Sequence, residues 1–307
     1  MSVSLIGASL VRRALRIRQR QFSSLASGAA QPENASSRIL EEDVKKFEED
    51  GAVVLRKAIP SSWVEQLRVA ADNNMKNPGP LCDEHVKPGE PGRFHDDQFL
   101  WLRHNTMRSF IFESPVGEIA KGMMRGKLAR LFYDQLLVKE PGTRTTTPWH
   151  NDHSYWQLSG DQVISVWLAL DPVPESSCVQ YVKGSHKWRL LHRIASFSGD
   201  EDRYKSDMTD SLPDIPNIDE KLDELTLLKW DMEPGDCLIH HSFAVHGAPG
   251  IGEASGRRRG YATRWVGESV KFDPRPGTMH YVWLKAGIDA ALQPGESMDS
   301  HLFPHVC

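Results

Sequence analysis

From about Leu131 onward the apolar residues of this 307-residue chain leave helical spacing and alternate in short runs. These runs are Leu131 to Val138, Pro148 to Trp156, Val163 to Leu170, Val179 to Val182, Leu225 to Trp230, Cys237 to His241 and Gly260 to Val266. Turn signals such as Glu140-Pro141-Gly142 and Glu233-Pro234-Gly235-Asp236 separate them. Alternation sends successive side chains to opposite faces, so each run reads as a strand with one face toward a core. Many short strands behind a helical front end predict a mainly β protein with flanking helices (α+β), folded as a double-stranded β-helix or jelly-roll barrel. Barrels of this length commonly form one domain.

Ahead of the strands, Ser37 is placed to cap a helix whose apolar residues (Ile39, Leu40, Val44, Phe47) run to a stop at Gly51. Ala52 to Ile59 reads as a strand, and Pro60-Ser61-Ser62 opens a second helix through about Met75. Residues 76–97 hold Pro, Gly and acids without periodicity and read as a loop, with Leu81 to Asp97 bordering an active site. Met107 to Leu131 is helical in pattern, broken near Gly122 and Gly126. Arg189 to Lys221, dense in charge and carrying Pro213 and Pro216, is expected as a lid-like insertion in a single domain spanning 37–307.

Residues 1–32 carry Arg12, Arg13, Arg16, Arg18 and Arg20 and no acid, so without them the formal charge of -4 becomes -4 - 5 = -9. An Arg- and Ser-rich, acid-free leader with an apolar face is expected to be a mitochondrial transit peptide, with a disordered basic tail as the alternative and a cytoplasmic location following from it. The acidic remainder argues against nucleic acid as a partner. No apolar run reaches the ~18 residues a membrane span needs. Cys82, Cys178, Cys237 and Cys307 are scattered, which suggests neither a zinc knuckle nor a disulfide framework. Asn34-Ala35-Ser36 is a glycosylation sequon by pattern that only a secreted chain would use.

The chemistry concentrates in Thr147-Pro148-Trp149-His150-Asn151-Asp152-His153. On a strand, His150 and Asp152 share a face and make two-thirds of a 2-His-1-carboxylate facial triad for non-haem iron. Alternation sends His153 the other way, so it is expected at the surface or behind the ligands. A third ligand can come from Asp236 to Gly247, which contains His240, His241 and His246; Gly247 would let the backbone approach a metal closely.

Taken in order, His150-x-Asp152, His246-Gly247 and the cluster Arg257, Arg258, Arg259 resemble the phytanoyl-CoA dioxygenase family of iron(II), 2-oxoglutarate-dependent oxygenases. Gln135-Leu136-Leu137-Val138-Lys139, Val166-Trp167-Leu168-Ala169-Leu170 and Gly184-Ser185-His186-Lys187 extend the likeness, which runs from about Ile39 to Trp265. It implies a cupin-like barrel in which His150, Asp152 and His246 hold Fe(II), with 2-oxoglutarate and O2 as cosubstrates. It also implies an arginine for the distal carboxylate of 2-oxoglutarate, since a guanidinium donates two parallel hydrogen bonds. Arg258 is the choice because Gly260, Ala262 and Arg264 lie on its face of the strand; Arg257 and Arg259 stay open because the loop is one residue long for the pattern. Gln135, Lys139 and Trp167 are expected to line the cosubstrate pocket, and His240 and His241 to stand outside the ligand set. Ala248-Pro249-Gly250-Ile251 departs from the small hydroxyl residue and Asn common in the family, which puts one hydrogen bond to 2-oxoglutarate in doubt.

The implied activity is hydroxylation of a small organic or acyl-CoA-type substrate with release of succinate and CO2. Lys121, Arg125, Lys127 and Arg130 are weighed as a coenzyme A phosphate site against a solvated helix face. Two other classes stay open: a cupin-like metalloenzyme that does not use 2-oxoglutarate, and a non-catalytic ligand-binding jelly roll.

Overall fold

The computed structural model describes residues 39–197 and 202–307. The expected Ser37 cap, the sequon and the basic leader lie outside them. The first half runs α1 (Glu41–Asp50), β1 (Ala52–Leu55), α2 (Ser61–Lys76), β2 (Asp83–Glu84), β3 (Phe94–Gln98), α3 (Asn105–Glu113), α4 (Val116–Met123), β4 (Arg130–Lys139), β5 (Thr147–His150) and α5 (Asp152–Tyr155). It continues β6 (Leu158–Ser159), β7 (Val163–Ala169), β8 (Gln180–Val182), α6 (Asp207–Asp210), β9 (Leu227–Leu228), β10 (Cys237–His241), β11 (His246–Ala248), β12 (Arg258–Val266), β13 (Lys271–Phe272) and α7 (Met279–Lys285).

Two antiparallel sheets form the jelly roll. The larger has the order β1-β10-β7-β12-β4-β3-β2 and the smaller β5-β11-β8-β9. Their edges stay open, so the two sheets face a common cavity without closing into a continuous barrel; β6 and β13 pair separately. Alternation on β7 shows how the large sheet separates its two faces. Ile164, Val166 and Leu168 are buried in the main apolar core with Leu67, Phe110 and Ile119 of the helices. Each such side chain contributes about 1.5–3 kcal/mol relative to exposure. Trp167 and Ala169 belong to a separate apolar cluster on the cavity side.

Three expectations are corrected. Residues 76–97 are not a plain loop, because β2 and β3 extend the large sheet and β3 pairs with β4 from Phe94↔Lys139 to Gln98↔Gln135. The helical stretch after Met107 breaks at Ser114-Pro115, where Pro115 cannot supply a backbone N–H, and it ends before Arg130 starts β4. The strand expected from Pro148 to Trp156 stops at His150, because Asn151 caps a helical turn there. Gly51 stops α1 as expected: it takes φ 83° and its N–H donates to Phe47 O at 2.8 Å.

Candidate metal centre and active site

The short helical turn α5 decides where the first carboxylate goes. Asn151 Oδ1 accepts the Ser154 N–H at 3.0 Å, a side-chain cap that turns the chain immediately after β5 and leaves Asp152 as the first helical residue. His150 sits on β5 opposite His246 on β11, their ring centroids 4.2 Å apart. Asp152 Oδ1 lies 3.7 Å from His150 Nε2 and 3.9 Å from His246 Nε2. All three residues are buried.

Hydrogen bonds outside this trio set its chemistry. His150 Nδ1 donates to Pro148 O at 2.8 Å and His246 Nδ1 donates to Ala244 O at 2.9 Å. Each imidazole is thereby fixed in the tautomer whose Nε2 carries a lone pair. Asp152 Oδ2 accepts from Ser165 Oγ at 2.9 Å and from His240 Nε2 at 3.1 Å, which leaves Oδ1 toward the two histidines. His240 Nδ1 then accepts the Tyr181 hydroxyl at 3.1 Å. The histidines thus belong to the small sheet, while the carboxylate is fastened to β7 and β10 of the large one.

Burial, then the neighbouring His246 ring, pushes His150 down to about 3; burial, then His240, pushes His246 down to about 4. Burial opposes the Asp152 carboxylate, but the His240 hydrogen bond and the surrounding positive charge outweigh it and hold the carboxyl well below the usual range. Neutral imidazoles and an ionised carboxylate are the forms a divalent metal takes up. Two Nε2 lone pairs and one free Oδ1, mutually within 4.8 Å, fit a facial triad for iron. Cys82, His95 and Asp97 also converge, but Asp97 Oδ2 already accepts from Asn74, Gly79 N and the Arg103 guanidinium, which suits an anion held by donors rather than a metal ligand.

The cavity beside the triad is lined by Gln135, Trp167 and Arg258 of the large sheet and by Tyr181, Gly247 and Ala248 of the small one. Ala195, Ser196, Phe197, Arg203 and Tyr204 of the insertion line it as well. Among the three clustered arginines the partners differ sharply. Arg257 pairs with Glu140 and Asp72, and Arg259 pairs with Asp171 and Asp72. Arg258 is buried in the cavity wall and donates to Ser177 O, with no carboxylate partner among the described residues. Burial lowers it to about 10, so it keeps its charge.

Lys139 is next to Arg258 in register; its Nζ donates to Pro249 O at 3.0 Å and lies 4.5 Å from the centre of the Phe94 ring. Burial, then the Arg258 charge, pushes it down to about 6. Gln135 Nε2 donates to Asp96 Oδ1 at 2.6 Å. Trp167 lies across β12 at Gly260, where a Cβ would overlap its indole. Gly247 packs on Trp149 and the Thr147 carbonyl, so its smallness serves strand packing.

His153 is buried, not at the surface. It is kept from the triad by Ser242 Oγ at 3.0 Å and by stacking on Phe243 at 3.9 Å, not by strand alternation. His241 is also buried. Lys121, Arg125 and Arg130 are taken up in ion pairs with Glu118, Glu41 and Glu48, and Asp299. Sequence reasoning missed Ser165, Tyr181 and the cavity-lining Tyr133 and Asp96. Ser165 could have been found from the period-two face it shares with Trp167.

A jelly roll that buries a His-x-Asp…His triad beside an arginine free of carboxylates has the architecture of a non-haem iron, 2-oxoglutarate-dependent oxygenase. The chain belongs to the phytanoyl-CoA dioxygenase (PhyH) family, which it matches over residues 47–259. A Caenorhabditis elegans protein described as a probable phytanoyl-CoA dioxygenase is 21% identical over 271 residues, covering 80% of this chain and 81% of that protein. The non-haem α-ketoglutarate-dependent carbocyclase SnoK from nogalamycin biosynthesis superposes with a TM-score of 0.68 at 22% identity, covering 91% of this chain and all (100%) of that one. EctD from S. alaskensis does so with a TM-score of 0.60 at 16% identity, over 84% and 85% of the two chains. The protein is an Fe(II)- and 2-oxoglutarate-dependent dioxygenase.

Proposed function

We propose that the protein hydroxylates a small organic substrate, coupled to conversion of 2-oxoglutarate to succinate and CO2. One oxygen atom of O2 would enter the C–H bond and the other the succinate carboxylate. One observation carries the assignment of the cosubstrate site: Arg258 alone of its cluster faces the triad's cavity with its charge uncompensated by any carboxylate among the described residues. A buried guanidinium in that state is suited to the distal carboxylate of 2-oxoglutarate.

His150, Asp152 and His246 would hold the iron, with Ser165 and His240 keeping Asp152 on one oxygen. Iron(II), when bound, supplies the activation of O2 against 2-oxoglutarate. Gln135 and Trp167 line the pocket with Arg258, while Lys139, paired with Arg258 in register, stands outside the lining with its Nζ on Pro249 O. Residues of the 189–221 insertion that reach the cavity, Phe197 and Tyr204 among them, support its reading as a lid that excludes water during turnover. The basic leader supports delivery to the mitochondrion; import of the full chain against one lacking residues 1–30 tests that, and equal cytosolic retention of both would overturn it.

Anaerobic titration with Fe(II) and 2-oxoglutarate should develop a weak visible charge-transfer band, and aerobic turnover should release succinate. Asp152→Ala should lose both. No band, with activity independent of oxygen, would instead favour a metalloenzyme that does not use 2-oxoglutarate.

A further inference from the structure

A second arginine faces the same cavity and has no task in the reading above. Arg264 is 6% exposed and lines the cavity. Its Nε and Nη1 are buried with no hydrogen-bond partner among the described residues. Its guanidinium carbon lies 5.0 Å from the centre of the Tyr133 ring, and Tyr133 is itself anchored by Trp156 Nε1 at 3.0 Å. A buried fork of donors left unsatisfied is costly, and stacking on one aromatic face does not provide the missing acceptors. Tyr133 does fix the plane of the fork.

The position of Arg264 separates it from the cosubstrate. Arg258 and Arg264 are six residues apart on one strand and share its cavity face, so their Cα atoms stand about 20 Å apart at the usual strand rise. Gly260 and Ala262 lie between them, with the Trp167 indole packed over Gly260. In the oxygenase reading 2-oxoglutarate has its distal carboxylate on Arg258 and its other end on the metal held by the triad, which leaves Arg264 for a separate anion. Arg264 lies on the triad's side: it pairs in register with Ser165, the residue that donates to Asp152. Beside it the ladder between β12 and β4 slips at Arg264/Trp265, an irregularity of the kind that re-aims side chains near active sites.

We propose that Arg264 receives a carboxylate of the primary substrate and so orients the carbon to be oxidised; this rests on the oxygenase reading above. A planar guanidinium matches a carboxylate through two parallel hydrogen bonds. A dianionic phosphate would call for a second free cation, and Arg203, which lines the cavity from the insertion, is paired with Asp83 at 2.7 Å. Tyr155, Trp156, Phe197 and Met279 give the cavity wall its aromatic and apolar surface, alongside the polar Asp96, Gln98 and Gln135. The substrate class is therefore an aryl or alkyl carboxylic acid whose body packs on these rings.

The test uses the full chain loaded with Fe(II) and saturating 2-oxoglutarate under argon. Thermal shift is measured with 4-phenylbutyrate and octanoate against the uncharged 4-phenylbutanamide and octanamide. Wild type should bind the acids at least about tenfold more tightly than the amides. Arg264→Gln should lose that preference while its 2-oxoglutarate half-saturation, read from the visible band, stays within about twofold. Arg264→Lys should keep a weakened preference, and it decides the matter if Arg264→Gln does not fold. No preference in wild type, or an undiminished preference in the variants, would overturn the proposal. Loss of 2-oxoglutarate binding in Arg264→Gln with retention in Arg258→Gln would also overturn it, by moving the cosubstrate to Arg264. Absence of the band in wild type would count against the oxygenase reading, while the acid-over-amide comparison would still report on Arg264.

Discussion

Asp152 Oδ2 accepts a hydrogen bond from His240 Nε2 at 3.1 Å, so a residue that is not a ligand determines which carboxylate oxygen remains for the metal. The Tyr181 hydroxyl completes the chain at His240 Nδ1. Replacing His240 by Leu should leave the three ligands in place, with Oδ2 held by Ser165 Oγ alone. Partners of this kind commonly contribute about 10- to 100-fold to metal affinity. An anaerobic Fe(II) titration should show that loss for His240→Leu and a smaller one for Tyr181→Phe. Unchanged iron affinity in His240→Leu would reduce the contact to packing.

The three clustered arginines should separate cleanly. Arg258→Gln removes a buried charge facing the cavity, and a charge-assisted hydrogen bond contributes about 1.5–3 kcal/mol, or roughly 10- to 150-fold in 2-oxoglutarate half-saturation. Arg257 is 38% exposed in its ion pairs, so Arg257→Gln should change neither 2-oxoglutarate binding nor stability by much, within about 1 kcal/mol. Arg259→Gln removes the guanidinium from Asp171, leaving it the backbone N–H of residue 259 and Arg68 at 3.7 Å, and should lower the melting temperature while sparing the cosubstrate. A 2-oxoglutarate defect in Arg257→Gln equal to that in Arg258→Gln would contradict the assignment.

Sequence alternation was enough for β7 and β12 because their faces differ in chemistry: Ile164, Val166 and Leu168 go to the core, Ser165 and Trp167 to the cavity. It failed for β3, Phe-His-Asp-Asp-Gln, where all five residues are buried and four are polar. Those polar groups are satisfied by Asn74, His85, Gln135 and Trp283, partners that no local window shows. It failed again at α5, since Thr, Trp and Tyr around His150 favour a strand and only the Asn151 cap reverses the direction. The ligand pair was legible nonetheless, because His150 and Asp152 converge whether a strand or a capped turn joins them. The choice among the arginines depended on Asp72, Glu140 and Asp171, which come from distant parts of the chain.

Gly260 gives Trp167 its place. A Cβ there would overlap the indole, and the tightly paired β12 and β7 leave the ring to yield into the cavity. Gly260→Ala should therefore raise the 2-oxoglutarate half-saturation and lower the melting temperature, by an overpacking cost of about 1–3 kcal/mol. Trp167→Leu in the Gly260→Ala background should recover part of both losses. Additive losses in the double variant would show that the two residues do not meet in this way.

Stability should also carry a pH signature at Asp134. Its side chain is fully buried, accepting the Tyr261 hydroxyl at 2.6 Å and Trp101 N–H at 2.9 Å on Oδ2, while Oδ1 has no partner among the described residues. Burial raises its pKa to about 7 against these two hydrogen bonds. In the unfolded chain the group titrates near its ordinary value of about 3.9. Below that value both states hold the proton and the contribution is complete. As pH rises toward 7 the unfolded chain releases the proton and the folded one does not, so stability falls; above about 7 the loss is constant. Between pH 5 and 7 the linkage limit is about 2–3 kcal/mol, on the order of 5 °C in melting temperature. Asn at this position keeps an acceptor for both donors and does not ionise. The melting temperature of Asp134→Asn relative to wild type should therefore rise steadily from pH 5 to 7 and level off above it. Parallel pH profiles for the two proteins would mean that Asp134 is already ionised in the fold.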